Sequence, residues 1–169
     1  MMNTQSNMEH FLSVPPNIDR AVILSNLDTY DARQVLDEND WAIHLNTAKH
    51  KYEAYDVWGV RHGLIVRHIN EKNGIRWCGP DSYFGFWHVL FWHGNLMKRD
   101  WLTEYVEKTN GKWPTTGFVA YHLAKEEFNG PIVLVGFKPR EDIGIKWDGH
   151  AWDYEADYYE KNGVTIINP

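Results

Sequence analysis

"AVILSNLDTYDARQVLDENDWAIHLN", residues 21–46, decides the fold. Its first six residues, AVILSN, are a short apolar run ended by turn formers, the pattern of a buried strand. Asp28 and Thr29 are N-cap candidates for a short helix that carries Ala32, Val35 and Leu36 on one face. WAIHLN, residues 41–46, is a second strand that again ends in Asn. Parallel neighbours cannot be joined by a tight hairpin and need a crossover, so strand, short helix and strand open a parallel βαβ sheet.

Outward from this unit the pattern repeats. Residues 1–20 form an N-terminal arm ending in VPPNIDR, extended because each proline disfavours helix at the residue before it. GLIVRHI at 63–69 is a third strand, with GIRWCG near residue 76 a weaker fourth. Residues 81–108 are expected to be mostly helical, broken near Gly94 and Asn95, with a second part starting near Asp100 that puts Trp101, Leu102, Tyr105 and Val106 on one face. A helix over about 116–128 leads to the strand PIVLVGF. A loop through KPREDIGIKWDGH, a helix across AWDYEADYYEKNG and a last strand VTIIN close the chain. The expectation is one α/β domain over residues 21–169, a Rossmann-like, mostly parallel sheet flanked by helices.

At 169 residues such a domain buries roughly two thirds of the surface of its unfolded chain. Cys78 is the single cysteine, so no internal disulfide forms and no zinc-ligand spacing exists, which fits a reducing compartment. The first twenty residues lack a basic start and an apolar stretch of signal-peptide length, and no apolar run approaches the ~18 residues of a membrane span. A soluble, cytoplasmic protein without a membrane partner is expected. Nine Trp, nine Tyr and nine His are present, and indole N–H groups need partners when buried, so the rings are expected to line a cleft as well as a core.

Net charge is −6, which argues against nucleic-acid binding over the whole surface. The charge is uneven, however. Residues 1–58 hold nine acids and four bases (−5), 59–112 five acids and eight bases (+3), and 113–169 nine acids and five bases (−4). The middle third either makes a positive face or is an ordinary solvated surface.

Ligands of open parallel sheets bind beyond the carboxyl ends of the strands. Ser25, Asn26, Asn46, Gly136 and Phe137 fall at such ends. Pro114, Thr115, Thr116 and Gly117 stand at a helix entry, where unpaired N–H groups and the helix dipole attract anions. They make either a capped helix with close packing at the glycine or a seat for phosphate and ribose. His150, just before a helix, has the pKa range of a general base, whereas His44 in a strand and His122 in a helix read as structural. GxxxxGK[ST], GxGxxG after the first strand and GxSxG are all absent, which removes support for P-loop, dinucleotide and α/β-hydrolase chemistry. No carboxylate pair reads as a metal site, and DxD does not occur.

With those residues in place, "WPTTGFVAYHLAKEEFNGPIVLVGF" resembles the sialyltransferase motif in which a Ser/Thr-Ser/Thr-Gly loop starts a helix facing a strand that ends in Gly. "GHAWDYE" lies where those enzymes carry a catalytic His followed by an acidic helix, and "VILSN" and "AIHLN" lie where they place Asn at the ends of the first two strands. The resemblance covers roughly residues 21–167. It implies a sialyltransferase-like glycosyltransferase fold and an inverting, metal-independent transfer from a CMP- or UDP-linked sugar, with no cofactor. It implies that Asn26 and Asn46 contact the donor, that Thr115, Thr116 and Gly117 cradle ribose and phosphate with Gly136 at the facing strand end, and that His150 takes the acceptor proton. The chain departs from the family in having SNLDTYD where a glycine-rich turn is usual, and in being shorter.

In size and charge distribution the chain also resembles, in outline, bacteriophage enzymes that put glucose or arabinose on hydroxymethylated cytosine in DNA. That implies a modified-DNA acceptor in a host cytoplasm. Arg61, Arg67 and Arg76 would contact phosphates, and Trp77, Trp87 or Trp92 would stack on a flipped base. The alternatives are a glycan-directed sialyltransferase-like enzyme, a nucleotide-binding protein without catalysis, and an unrelated nucleotide hydrolase.

Overall fold

The computed structural model describes residues 17–27, 30–45, 62–67, 86–90, 99–137 and 148–169, with 62–67 and 86–90 described at the level of the backbone. Strand β1 is Arg20–Leu24 and β2 is Asp40–Leu45, joined through a single 3₁₀ turn at Ala32–Gln34. β3 is His62–Arg67 and β4 is Phe86–Leu90. Helices α1 (Asp100–Lys108) and α2 (Thr116–Glu127) lead to β5 (Ile132–Val135), and α3 (Trp152–Lys161) leads to β6 (Thr165–Ile167).

The strands form one sheet in the order β4-β3-β2-β1-β5-β6. Every pairing is parallel, with Ala21 opposite Trp41 on one side and Ile132 on the other. The expected α/β class and parallel sheet are therefore present. Two local expectations are corrected. Residues 86–90, read as helix, are a strand: Phe86 pairs with Gly63 and Leu90 with Arg67. The helix expected after Asp28 or Thr29 is one turn capped by Asp31, whose side chain accepts from the Arg33 N–H. It stops there because the Val35 carbonyl accepts from the Arg20 guanidinium at 2.8 Å and so leaves the helical ladder. The GIRWCG strand expected near residue 76 lies outside the described residues.

A parallel strand between two covered faces must be apolar on both. In β1, Ala21 and Ile23 face the helices, whereas Val22 and Leu24 face the layer that holds Tyr30, Ala32 and Leu36. Helix α2 is buried at eight consecutive positions, Gly117–Ala124. That fits a helix enclosed on several sides: Phe118, Ala120, Tyr121 and Ala124 join the core against the sheet, while Val119 and Leu123 pack with Leu102 of α1.

Charge fixes the amino edge of the sheet. Asp40, 1% exposed, accepts from Arg20 Nε at 2.7 Å and Nη2 at 2.9 Å and from the Asp37 N–H at 2.7 Å. Arg20 and Asp40 are register partners, so this bidentate pair pins β1 to β2. It lies at the edge opposite the one where ligands of parallel sheets bind, and its role is structural.

Candidate functional site

β1 pairs with β2 on one side and with β5 on the other, so the chain reverses its direction of travel across the sheet between β1 and β5. The carboxyl ends of these two strands are the switch point, where crevices form in open parallel sheets. Here the Ser25 N–H donates to the Val135 carbonyl at 3.0 Å, continuing the pairing one step past β1. Gly136 has φ +73°, and a Cβ there would lie 2.4 Å from both Ser25 Oγ and Tyr30 Cε1. Tyr30 is held in that place by donating its hydroxyl to the Ser25 carbonyl at 2.9 Å. Glycine at 136 is thus required by the left-handed backbone and by the packing of Tyr30 at the crevice.

The other face of the switch point meets the start of α2. A Cβ on Gly117 would lie 2.4 Å from Phe137 Cε1 and 3.6 Å from Leu45 Cδ1. The close approach that this glycine permits is made by the half-buried Phe137 ring. These neighbours, one just after β5 and one at the end of β2, place the N-terminus of α2 at the carboxyl edge of the sheet.

α3 begins beside it. Trp113 N–H donates to the Gly149 carbonyl at 3.0 Å, and His150 Nδ1 is 2.8 Å from the Trp113 carbonyl. A carbonyl only accepts, so Nδ1 carries the proton in the neutral ring and Nε2 holds the lone pair. The His150 ring meets Trp152 edge-on at 5.4 Å. Burial lowers its pKa, against the bond to Trp113, which raises it.

The start of α2 is tied down by an acid from α3. Glu155, 4% exposed, accepts from the Thr115 N–H at 2.7 Å and the Thr115 hydroxyl at 2.6 Å. The same hydroxyl accepts from the Phe118 N–H at 3.1 Å, which makes Thr115 the N-cap of α2. A third donor, the Tyr105 hydroxyl from α1, reaches Glu155 at 2.9 Å. Burial pushes the Glu155 carboxyl up to about 7, and the bonds from Thr115 and Tyr105 oppose that rise. Tyr105 itself is raised, first by burial and then by the Glu155 charge. Its hydroxyl is also 3.2 Å from the Trp113 carbonyl and accepts from the Ala151 N–H at 3.2 Å.

The structure therefore brings His150, Thr115, Thr116 and Gly117 together where α2 and α3 begin, and sets Asn26 and Gly136 at the ends of β1 and β5. Asn46, Arg61, Arg76, Trp77 and Trp92 lie outside the described residues. Arg67 ends β3 at the carboxyl edge, and Trp87 is the second residue of β4. His44 and His122 are buried, as expected of structural residues. Glu155 and Tyr105 are the members that a sequence reading for chemistry overlooks. Their signal is position: Ala151, Glu155 and Tyr159 recur every four residues on one face of α3, and an acid in the middle of a core-facing stripe needs partners.

Among the described residues no group of three or more His, Cys, Asp or Glu is arranged to hold a metal ion, and no helix is long and apolar enough to cross a membrane. Comparison of the chain with protein-family models, with curated proteins and with solved structures gives no match.

Proposed function

We propose that this protein is a glycosyltransferase with a Rossmann-like sheet, moving a sugar from a nucleotide-sugar donor to an acceptor hydroxyl with inversion and without a metal. The observation that carries the reading is a histidine with its Nδ1 held at a backbone carbonyl, beside the starts of two helices at the carboxyl edge of a parallel sheet. His150 Nε2 is the atom that takes the acceptor proton as the hydroxyl oxygen attacks the anomeric carbon. The bond from that carbon to the donor phosphate breaks, and the charge it leaves is met by fixed dipoles. In this reading the start of α2, at Thr116 and Gly117, turns the positive end of its dipole toward the phosphate while Thr115 caps the helix. Asn26, Asn46 and Gly136 complete the donor side.

For the acceptor we favour hydroxymethylated cytosine in duplex DNA over a glycan, supported by the basic balance of residues 59–112. Arg61, Arg67 and Arg76 would supply phosphate contacts, and Trp77, Trp87 and Trp92 the stacking.

The test begins with a thermal-shift panel of CMP, UDP, GDP and ADP and their sugar conjugates. Mass spectrometry of hydroxymethylcytosine-containing duplex DNA after incubation with the best donor follows, for the wild type and for His150→Ala. The expected result is stabilisation by one nucleotide class, sugar transfer by the wild type, and retained binding with no transfer by the variant. Full turnover by His150→Ala removes the role of the base, and the absence of any nucleotide stabilisation removes the donor site.

A further inference from the structure

The geometry points to Tyr105 as the positioning residue of His150, an inference that rests on His150 being the proton acceptor of the proposed reaction. Tyr105 comes from α1, in the chain segment before the threonine turn, and belongs to none of the motifs that carry the resemblance. Its hydroxyl is nevertheless the point where the groups around His150 meet. It lies 3.2 Å from the Trp113 carbonyl, the group that receives the His150 Nδ1–H, and it accepts at 3.2 Å from the N–H of Ala151, the residue after His150. The residue before His150 is held as well, because the Gly149 carbonyl accepts from Trp113 N–H at 3.0 Å. The ring is thereby fixed through both of its chain neighbours and through Nδ1.

One hydroxyl has one proton and two lone pairs. The shorter of its two acceptor contacts, 2.9 Å against 3.2 Å, is to Glu155 Oε1, and that oxygen also receives Thr115 N–H at 2.7 Å. Donating to the acid leaves the Tyr105 oxygen to accept from Ala151. The direction of each bond follows from Glu155, which takes the hydroxyl proton. The Tyr105 ring is 0% exposed, tilted against Phe118 at 5.1 Å and edge-on to Tyr154 at 5.2 Å, so packing holds the hydroxyl where these partners converge. Through the Ala151 N–H Tyr105 holds the backbone beside His150, and with it keeps the ring on the Trp113 carbonyl, the contact that leaves Nε2 able to take a proton.

Tyr105→Phe removes the oxygen and keeps the ring. Long-range ¹H–¹⁵N spectra of the histidine rings at pH 7.5, with His150 assigned from its disappearance in His150→Ala, read the tautomer directly. The wild type is expected to carry the His150 proton on Nδ1. Tyr105→Phe is expected to show a mixture of tautomers, with folding confirmed by circular dichroism and kcat lowered about 100-fold, the scale of a misplaced reacting group, at little changed donor KM.

An unchanged tautomer in folded Tyr105→Phe overturns the proposal, as does a wild-type His150 protonated on Nε2. Should Tyr105→Phe not fold, the wild type decides. A slowly exchanging Tyr105 hydroxyl proton together with the Nδ1–H tautomer supports the proposal, and a rapidly exchanging one overturns it. The two readings separate cleanly. A tautomer change in a protein that transfers no sugar sinks the glycosyltransferase and leaves the positioning, whereas active transfer with an unmoved tautomer sinks the positioning alone.

Discussion

Glu155→Gln should make this protein more stable in mild alkali than the wild type. The acid is buried and its carboxyl is raised from 4.5 to about 7 by loss of water, so the fold holds the proton more tightly than the unfolded chain does. A carboxyl with a raised native pKa stabilises fully below its unfolded value and loses that contribution as pH climbs through the native one. The window is therefore pH 4.5 to 7. At 1.36 kcal/mol per unit, the whole shift is worth about 3 kcal/mol, of which about 2 to 3 falls between pH 5 and pH 8.

Glutamine is neutral throughout and keeps an oxygen for the Thr115 N–H and the Tyr105 hydroxyl, while its amide can donate to Thr115 Oγ1. His122 and His150 are both lowered by burial and so lose stability in the other direction, as pH falls. Both are common to the two proteins and cancel in the comparison. Urea unfolding at pH 5 and pH 8 gives the difference, expected as a midpoint separation that widens by about 1 M for an m-value of about 2 kcal/mol/M. A separation that stays constant with pH, or narrows toward pH 8, refutes the claim that burial dominates this carboxyl.

Two further outcomes follow from the packing. Gly136→Ala places a methyl 2.4 Å from Ser25 Oγ and Tyr30 Cε1 at φ +73°, and should cost about 2 to 5 kcal/mol from strain and overpacking together, read by urea unfolding; a loss under about 0.5 kcal/mol would refute the crowding described at the switch point. His122, pushed down to about 4 by burial, stacks on Trp101 at 4.4 Å, and its Nε2 has no hydrogen-bond partner among the described residues. His122→Phe keeps the stack and removes the titration, so it should gain about 2 kcal/mol on the wild type at pH 5 relative to pH 8, and equal pH dependence of the two proteins would count against it.

Much of the architecture is written in local pattern. AVIL at 21–24 and IVLV at 132–135 are apolar at every position because both of their faces are covered, and turn formers close them. FWHVL at 86–90 escaped that logic because it sits in a nearly continuous aromatic run, where periodicity cannot separate a buried strand from a buried helix. Gly85 and Gly94 on either side, and the density of rings, were the better guides. The 3₁₀ turn was shorter than its apolar spacing implied because Arg20, far off in the pairing, takes the Val35 carbonyl. At the site, Thr115 as a cap and His150 at a helix start were legible from residue type. Glu155 and Tyr105 were not, since their meeting depends on how α1, α2 and α3 pack, which no single segment encodes.

The placement of β1 between β2 and β5 has a consequence for how the chain is made. Ala21 and Ile23 need Trp41 and Ile43 on one side and Ile132 and Leu134 on the other. The first partner leaves the ribosome soon after β1, whereas the second is more than a hundred residues downstream. Until then this apolar strand has one open edge, a state that favours pairing with other chains. Closure of the central pair is a long-range event of the kind that slows folding. The segment between, rich in tryptophan, is synthesised while that edge is still waiting.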